Sequence, residues 1–201
     1  MPTILYLASA NPGKLRELAA LAADYQVTLV PVPRYGELPP AQEEATSFAL
    51  NALEKALHYS QFTAGLVVAD DSGLLVDALA GAPGTRSARY AGPGATDEDN
   101  NRKLLQELAL VPEEKRTARY VCVLVLARAG QVLGIFSDYC EGQITRATRG
   151  VGGFGYDPLF FLPPRNCTMA ELSIEEKNRY SHRGKAFRKL LDYLPQTKVV
   201  S

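Results

Sequence analysis

The stretch "VVADDSG", residues 67 to 73, constrains the fold more than any other. Val67, Val68 and Ala69 read as a buried strand, and two carboxylates, Asp70 and Asp71, follow at once, then Ser72 and Gly73. Charged side chains are almost never buried without a partner. The strand is therefore expected to end at these carboxylates, beside an opening where a cation or a charged ligand completes them.

The rest of the chain alternates between strand-like and helix-like patterning. Residues 3–8 are an apolar run broken by "NPGK", after which Leu15, Leu18 and Leu21 recur at helical spacing. "VTLVPV" predicts a shorter strand, followed by a Pro-rich loop to Pro40. A helix is expected over 46–59, with Phe48, Ala52, Ala56 and Tyr59 on one stripe and Asn51 and Lys55 at i, i+4 on another face. "GAPGTRSARYAGPG" is a long Gly/Pro loop, suited to function rather than packing. Thr96 caps a helix running to Leu108, and "RYVCVLVLA" and "VLGIFSDY" flank "RAGQ" as a hairpin. "DPLFFLP" predicts a further strand. Ser173 and Glu176 form a capping box, and a last helix begins near His182 and carries Phe187, Leu190, Leu191 and Leu194. The expected class is α/β with an antiparallel part. No linker or repeat divides the chain, so residues 1–201 are read as a single domain.

Composition narrows the chemistry. Lys plus Arg equals Asp plus Glu at 22 each. Zero net charge argues against a nucleic-acid-coating protein and leaves room for a local basic pocket. Cys122, Cys140 and Cys167 are far apart, without a CxxC pair, which speaks against a disulfide framework or thiolate zinc site and for a reducing compartment. With only His58 and His182 as histidines, a metal would be held by oxygen, as Mg2+ or Mn2+ are. No apolar run reaches the ~18 residues of a membrane span, and "TILYLASA" has no charged segment before it. A cytoplasmic protein without membrane partners is expected.

Four segments carry candidate chemistry. "SANPGK", residues 9 to 14, joins a strand to a helix, where backbone N–H groups and the positive helix end favour an anion. It is not a P-loop, because Leu15 stands where Ser or Thr would hold Mg2+; the plain alternative is a turn with an exposed lysine. "GVGGFG" matches GxGxxG through Gly150, Gly152 and Gly155, but no clean strand precedes it and Pro158 blocks a following helix. Its glycines instead suit a flat ligand against Phe154, or a turn with Phe154 and Tyr156 in the core. Glu43, Glu44, Asp70 and Asp71 suit a hard divalent cation, against plainer roles at a helix start and a strand-end turn. "KNRYSHRGK" gathers Lys177, His182 and Arg183, where the usual reading is a solvated surface.

Together these segments resemble the inosine triphosphate pyrophosphatase family, enzymes that hydrolyse dITP, ITP and XTP. The resemblance runs from "LASANPGKLREL" through "FALNALEKA", "ADDSGLLVDALAGAPGTRSARYAG" and "GVGGFGYDPLFF" to "ELSIEEKNRYSHRGKAF". It implies an elongated two-lobed fold with a central mixed β-sheet flanked by helices, a cleft between the lobes, a homodimer and Mg2+, with Mn2+ as a substitute. By the resemblance Ser9, Ala10, Asn11, Pro12, Gly13 and Lys14 wrap the triphosphate, and Lys55 and Arg89 contact phosphate. Asp71 is the general base and, with Glu43, a metal ligand. Ser72 touches substrate, and Phe154, Gly155, Tyr156, Asp157, Lys177, His182 and Arg183 hold the base. Ala45 stands where the family often has Gly, which leaves Glu44 as an alternative to Glu43. The expected reaction releases pyrophosphate from a purine nucleoside triphosphate. A pyrophosphatase with another base preference, a non-catalytic nucleotide sensor and an interaction module are the competing readings.

Overall fold

The structure, a computed structural model, describes residues 3–42 and 45–194. β1 (Thr3–Leu7) pairs in parallel with β2 (Val27–Pro31) on one side and β3 (Leu66–Val76) on the other. From β3 the sheet turns antiparallel through β4 (Thr117–Arg128), β5 (Gln131–Ile144), β6 (Phe160–Leu162) and β7 (Cys167–Thr168). The result is one mixed seven-stranded sheet, in the order β2-β1-β3-β4-β5-β6-β7, among the described residues. Ala129 and Gly130 both take positive φ, 49° and 76°, which lets the β4–β5 hairpin close over two residues.

Strand periodicity places the helices. Along β3 and β4, Val68, Cys122, Leu124 and Leu126 face one side, where α1 (Pro12–Ala23) and α5 (His182–Tyr193) cover them through Leu18, Phe187 and Leu190. Val67, Ala69, Val123 and Val125 face the other side, under Ala52, Ala56 and Tyr59 of α2 (Phe48–Tyr59). The far half of the long strands packs Leu74, Val76 and Tyr120 against Leu104 of α3 (Asp97–Glu107) and Phe160. Thr96 and Asp99 cap α3 reciprocally, and Ser173 and Glu176 do the same for α4 (Ile174–Tyr180). Among the described residues no helix is long and apolar enough to cross a membrane.

Three expectations need correction. The helix expected from residue 46 starts at Phe48, and "DPLFFLP" yields only Phe160–Leu162 as strand, because the Leu159 and Phe160 amides both turn back to the Tyr156 carbonyl. More important, β3 does not stop at Asp70. It runs to Val76, and Asp70 and Asp71 sit mid-strand opposite Leu124 and Val123. What stops is its neighbour: β1 pairs with β3 only from Leu66 to Val68. Beyond that point the β1-side edge of β3 carries no strand; at its far end Leu75 bridges to Pro83 and the Leu74 amide donates to Ser87 Oγ, while its β4-side edge stays paired to Val76.

The outer edge of β5 is handled differently. It pairs with β6 only at Gln143 and Ile144. Along the rest, α5 lays three donors at i, i+4, i+8 against the strand. Lys185 Nζ reaches the Tyr139 carbonyl at 3.0 Å, Lys189 Nζ the Ser137 carbonyl at 2.8 Å, and Tyr193 OH the Leu133 carbonyl at 3.0 Å.

Candidate active site

A cavity of about 260 Å³ opens where β3 outruns β1. Crevices beyond the carboxyl ends of parallel strands are the usual ligand sites of α/β sheets. The β1–α1 turn contributes Asn11 and Lys14, α2 contributes Asn51 and Lys55, and β3 contributes Asp71, Ser72 and Gly73. The opposite wall is a 3₁₀ turn, Gly84–Arg89, with the loop carrying Phe154, Gly155, Tyr156 and Asp157. Lys177, His182 and Arg183 close the floor from α4 and α5.

Local chemistry fixes the β1–α1 turn. Asn11 caps α1, its Oδ1 accepting from the Lys14 amide at 3.0 Å, and Ser9 Oγ accepts from the Asn11 amide at 3.2 Å. Pro12 has no amide hydrogen. The turn therefore offers an anion fewer backbone donors than the sequence suggests. Gly13 lies so close to Phe154 that a β-carbon there would come within 2.5 Å of the ring.

Alternation along β3 sends the two carboxylates apart. Asp70 points to the α1/α5 side and is fully buried. Lys14 pairs with it, Arg183 Nε donates at 2.9 Å and Ser72 Oγ at 2.9 Å. Burial opposes its ionisation, but Lys14 and Arg183 overcome that and hold the carboxyl well below its usual range. Arg183 also donates to Glu17 at 2.7 Å and to Ser72 Oγ at 2.8 Å. Lys177 pairs with Glu17 at 2.5 Å and with Asp157. Three cations and three carboxylates thus form one largely buried network.

Asp71 stands on the other side, toward α2. Asn51 Nδ2 donates to its Oδ2 at 3.0 Å. Lys55 Nζ donates to the Asp70 carbonyl at 3.2 Å, on the open edge of β3. Burial raises the Asp71 carboxyl above its ordinary value, only partly offset by Asn51 and Lys55. Among the described residues no group of three or more His, Cys, Asp or Glu side chains is arranged to hold a metal. A single carboxylate whose charge is under-compensated still fits Mg2+, which binds through one or two carboxylates plus phosphate oxygens and water.

The 153–157 loop forms the aromatic wall. Gly153 has φ +71°, and a β-carbon there would lie 2.0 Å from Asp157 Oδ2. That oxygen accepts the Phe154 amide at 2.8 Å and pairs with Lys177. Burial raises the Asp157 carboxyl even so. Phe154 is half-buried, with Lys177 Nζ 4.8 Å and the Arg183 guanidinium 5.2 Å from its ring centre. Tyr156 is buried, as its plainer reading expects, and its hydroxyl donates to the Ser87 carbonyl at 2.8 Å. His182 stacks on Tyr120 at 4.6 Å. Burial and Arg183 push its pKa well down, so the imidazole is neutral, and Nδ1 has no partner.

Most of the residues singled out from the sequence come together here. Asn11, Lys14, Lys55, Asp71, Ser72, Arg89, Phe154, Gly155, Tyr156, Asp157, Lys177, His182 and Arg183 line the one cavity. Ser9, Ala10, Pro12 and Gly13 belong to the turn beside it. Glu43 and Glu44 lie outside the described residues. Sequence reasoning missed Glu17, and gave Asn51, Asp97 and Tyr120 no place in the site. Only the Asn51/Lys55 spacing hinted at one of them.

The Ham1 family profile matches residues 5–193. The dITP/XTP pyrophosphatase of Geobacter sulfurreducens is 47% identical over 192 residues, 96% of each chain. The dITP/XTP pyrophosphatase of Geobacillus kaustophilus is 49% identical over 186 residues, 92% of this chain and 91% of the relative. A Ham1 protein from Coxiella burnetii superposes with a TM-score of 0.83 at 39% identity, over 94% of this chain and 97% of that one. The Staphylococcus aureus Ham1 protein gives 0.82 at 35% identity, over 96% and 98%. A match that runs nearly end to end in sequence and in fold makes this chain a member of the Ham1 family.

Proposed function

We propose that the protein hydrolyses non-standard purine nucleoside triphosphates, dITP, ITP and XTP, to the monophosphate and pyrophosphate. The observation that carries this reading is the co-location, in one cavity, of an aromatic wall, a cationic side and an under-compensated carboxylate. The activity for which relatives 46–49% identical are named points the same way. Asn51 orients Asp71, which takes a proton from the water attacking the α-phosphorus. Mg2+, with Mn2+ as a substitute, would be held by Asp71 and Glu43 and would supply charge neutralisation and a more acidic water. Lys14, Lys55 and Arg89 offset charge on the departing pyrophosphate.

Phe154 takes the face of the base, which any purine offers. Lys177 and Arg183, with His182, supply donors toward its edge. A keto oxygen at C6 accepts from the N–H groups these side chains keep beyond their carboxylate partners, whereas the amino group of adenine sets donor against donor, at about 1–3 kcal/mol per unmet group. A nucleotide panel with and without Mg2+, reading pyrophosphate, tests this: kcat/KM for ITP, dITP and XTP should stand well above ATP, and chelation should abolish release. ATP hydrolysed as efficiently as ITP would defeat the reading. We further read residues 1–201 as one pyrophosphatase domain, acting in the cytoplasm as a homodimer whose mass sedimentation would report.

A further inference from the structure

The first turns of α3 touch both segments of the wall opposite β3, the one that carries Arg89 and the one that carries Phe154, and the proposed reaction leaves them without a task. Asn100 is buried, and its carboxamide makes two hydrogen bonds to one loop. Oδ1 accepts from the Ala91 amide at 2.8 Å, and Nδ2 donates to the Ala88 carbonyl at 3.2 Å. These bonds bracket Arg89 and Tyr90. The next residue, Asn101, turns about 100° round the helix and serves the other loop. Its Nδ2 donates to the Gly155 carbonyl at 2.8 Å, while Asp97 Oδ2 accepts from the Gly155 amide at 2.6 Å. Gly155, beside Phe154, is therefore held at both its N–H and its C=O. The Tyr156–Ser87 bond ties the two loops directly. Asn101 Oδ1 is buried without a partner, an arrangement that costs stability and that a purely structural residue need not keep.

We propose that Asn100 is a positioning residue that places Arg89 for the phosphate chain, and that Asp97 and Asn101 place Phe154 for the base, so that α3 sets the distance between the two ends of the bound nucleotide. This rests on the reading of the cavity as a nucleoside triphosphate site. The residue types suit the task. A carboxamide offers a donor and an acceptor side by side, which matches the carbonyl and amide it faces across Arg89 and Tyr90. Aspartate at 100 has the same shape but sets an oxygen against the Ala88 carbonyl. A displacement of about 1 Å in a positioning group can cost on the order of 10²-fold in rate.

The two ends can be read separately. Asn100→Asp should lower kcat/KM for ITP by about 10- to 100-fold. It should leave the ITP-to-ATP ratio unchanged and weaken inhibition by inorganic pyrophosphate. In an Arg89→Ala background it should cost nothing further, because its effect passes through Arg89. Asn101→Asp should raise KM for ITP and ATP alike, because any purine offers Phe154 its face, and leave pyrophosphate inhibition as it was. Asn101→Ser, a smaller disturbance, gives the same reading should the aspartate variant fail to fold. If Asn100→Asp lowers activity equally with and without Arg89, or if the 100 and 101 variants weaken pyrophosphate inhibition alike, α3 is a structural support and the proposal is overturned. Wild-type protein that releases no pyrophosphate from ITP would defeat the underlying reading first. Failure of the variants on an active wild type would defeat the positioning role alone.

Discussion

Consecutive residues on a strand face opposite sides of a sheet, and on β3 this divides two adjacent carboxylates between two chemistries. Asp70 is enclosed with Lys14 and Arg183, so Asp70→Asn leaves two cations facing a neutral amide. Breaking a buried pair in this way costs about 3–5 kcal/mol, to be seen as a lower urea midpoint. Asp71 is under-compensated, so Asp71→Asn should unfold at the wild-type urea concentration or above it. Its pyrophosphate release should nevertheless fall by about 10²–10⁴-fold. Near-normal turnover in Asp71→Asn would remove that residue from the mechanism. The pair itself was legible in the sequence. Its division was not, because an apolar run followed by two acids reads as a strand's end. Only the pairing of β3 with β4 shows the strand continuing past the place where β1 stops.

Among the elements, α1, α4 and α5 meet through charge where a surface would have been expected. Glu17 of α1 accepts from Lys177 and Arg183, and its backbone carbonyl accepts from Asn178 Nδ2 at 2.9 Å. Burial works against the Glu17 charge, but the two cations prevail and lower its pKa from 4.5. A lowered carboxylate stabilises the fold above the ordinary value and loses that contribution as pH falls through the lowered one. Asp157, raised by burial, has the opposite sign. The destabilisation caused by Glu17→Gln should thus be full at pH 7 and shrink at pH values below about 4.5. Urea titrations of both proteins at pH 7 and pH 4 would check it, and an equal loss at both would contradict the assignment. The helices were legible from Leu18 and Phe187 spacing and from the Ser173/Glu176 cap. The ionic seam was not, because it joins residues 160 positions apart in the chain and has no period.

At the scale of the whole molecule, two stretches of strand edge among the described residues lack a neighbouring strand, and they differ in what faces them. The β3 edge just past Val68 borders the cavity, and the strand–helix alternation of the sequence foretold an α/β sheet with an opening near residue 70. The outer edge of β5 lies away from that cavity, and nothing in the run "VLGIFSDY" says what guards it. Lys185, Lys189 and Tyr193 do so, by engaging the carbonyls of Tyr139, Ser137 and Leu133. Exposed strand edges recruit further strands, and lysines are a common deterrent. Replacing all three donors, as Lys185→Ala, Lys189→Ala and Tyr193→Phe together, should leave kcat/KM of fresh protein intact. Light scattering should then grow with time and concentration, and an unchanged signal would assign the three contacts to packing alone. The last helix is in this sense a sheath. With Val132, Leu133, Ile135 and Tyr139 all exposed on the strand beneath it, stripping the sheath would let copies of the chain stack strand upon strand into a growing fibre.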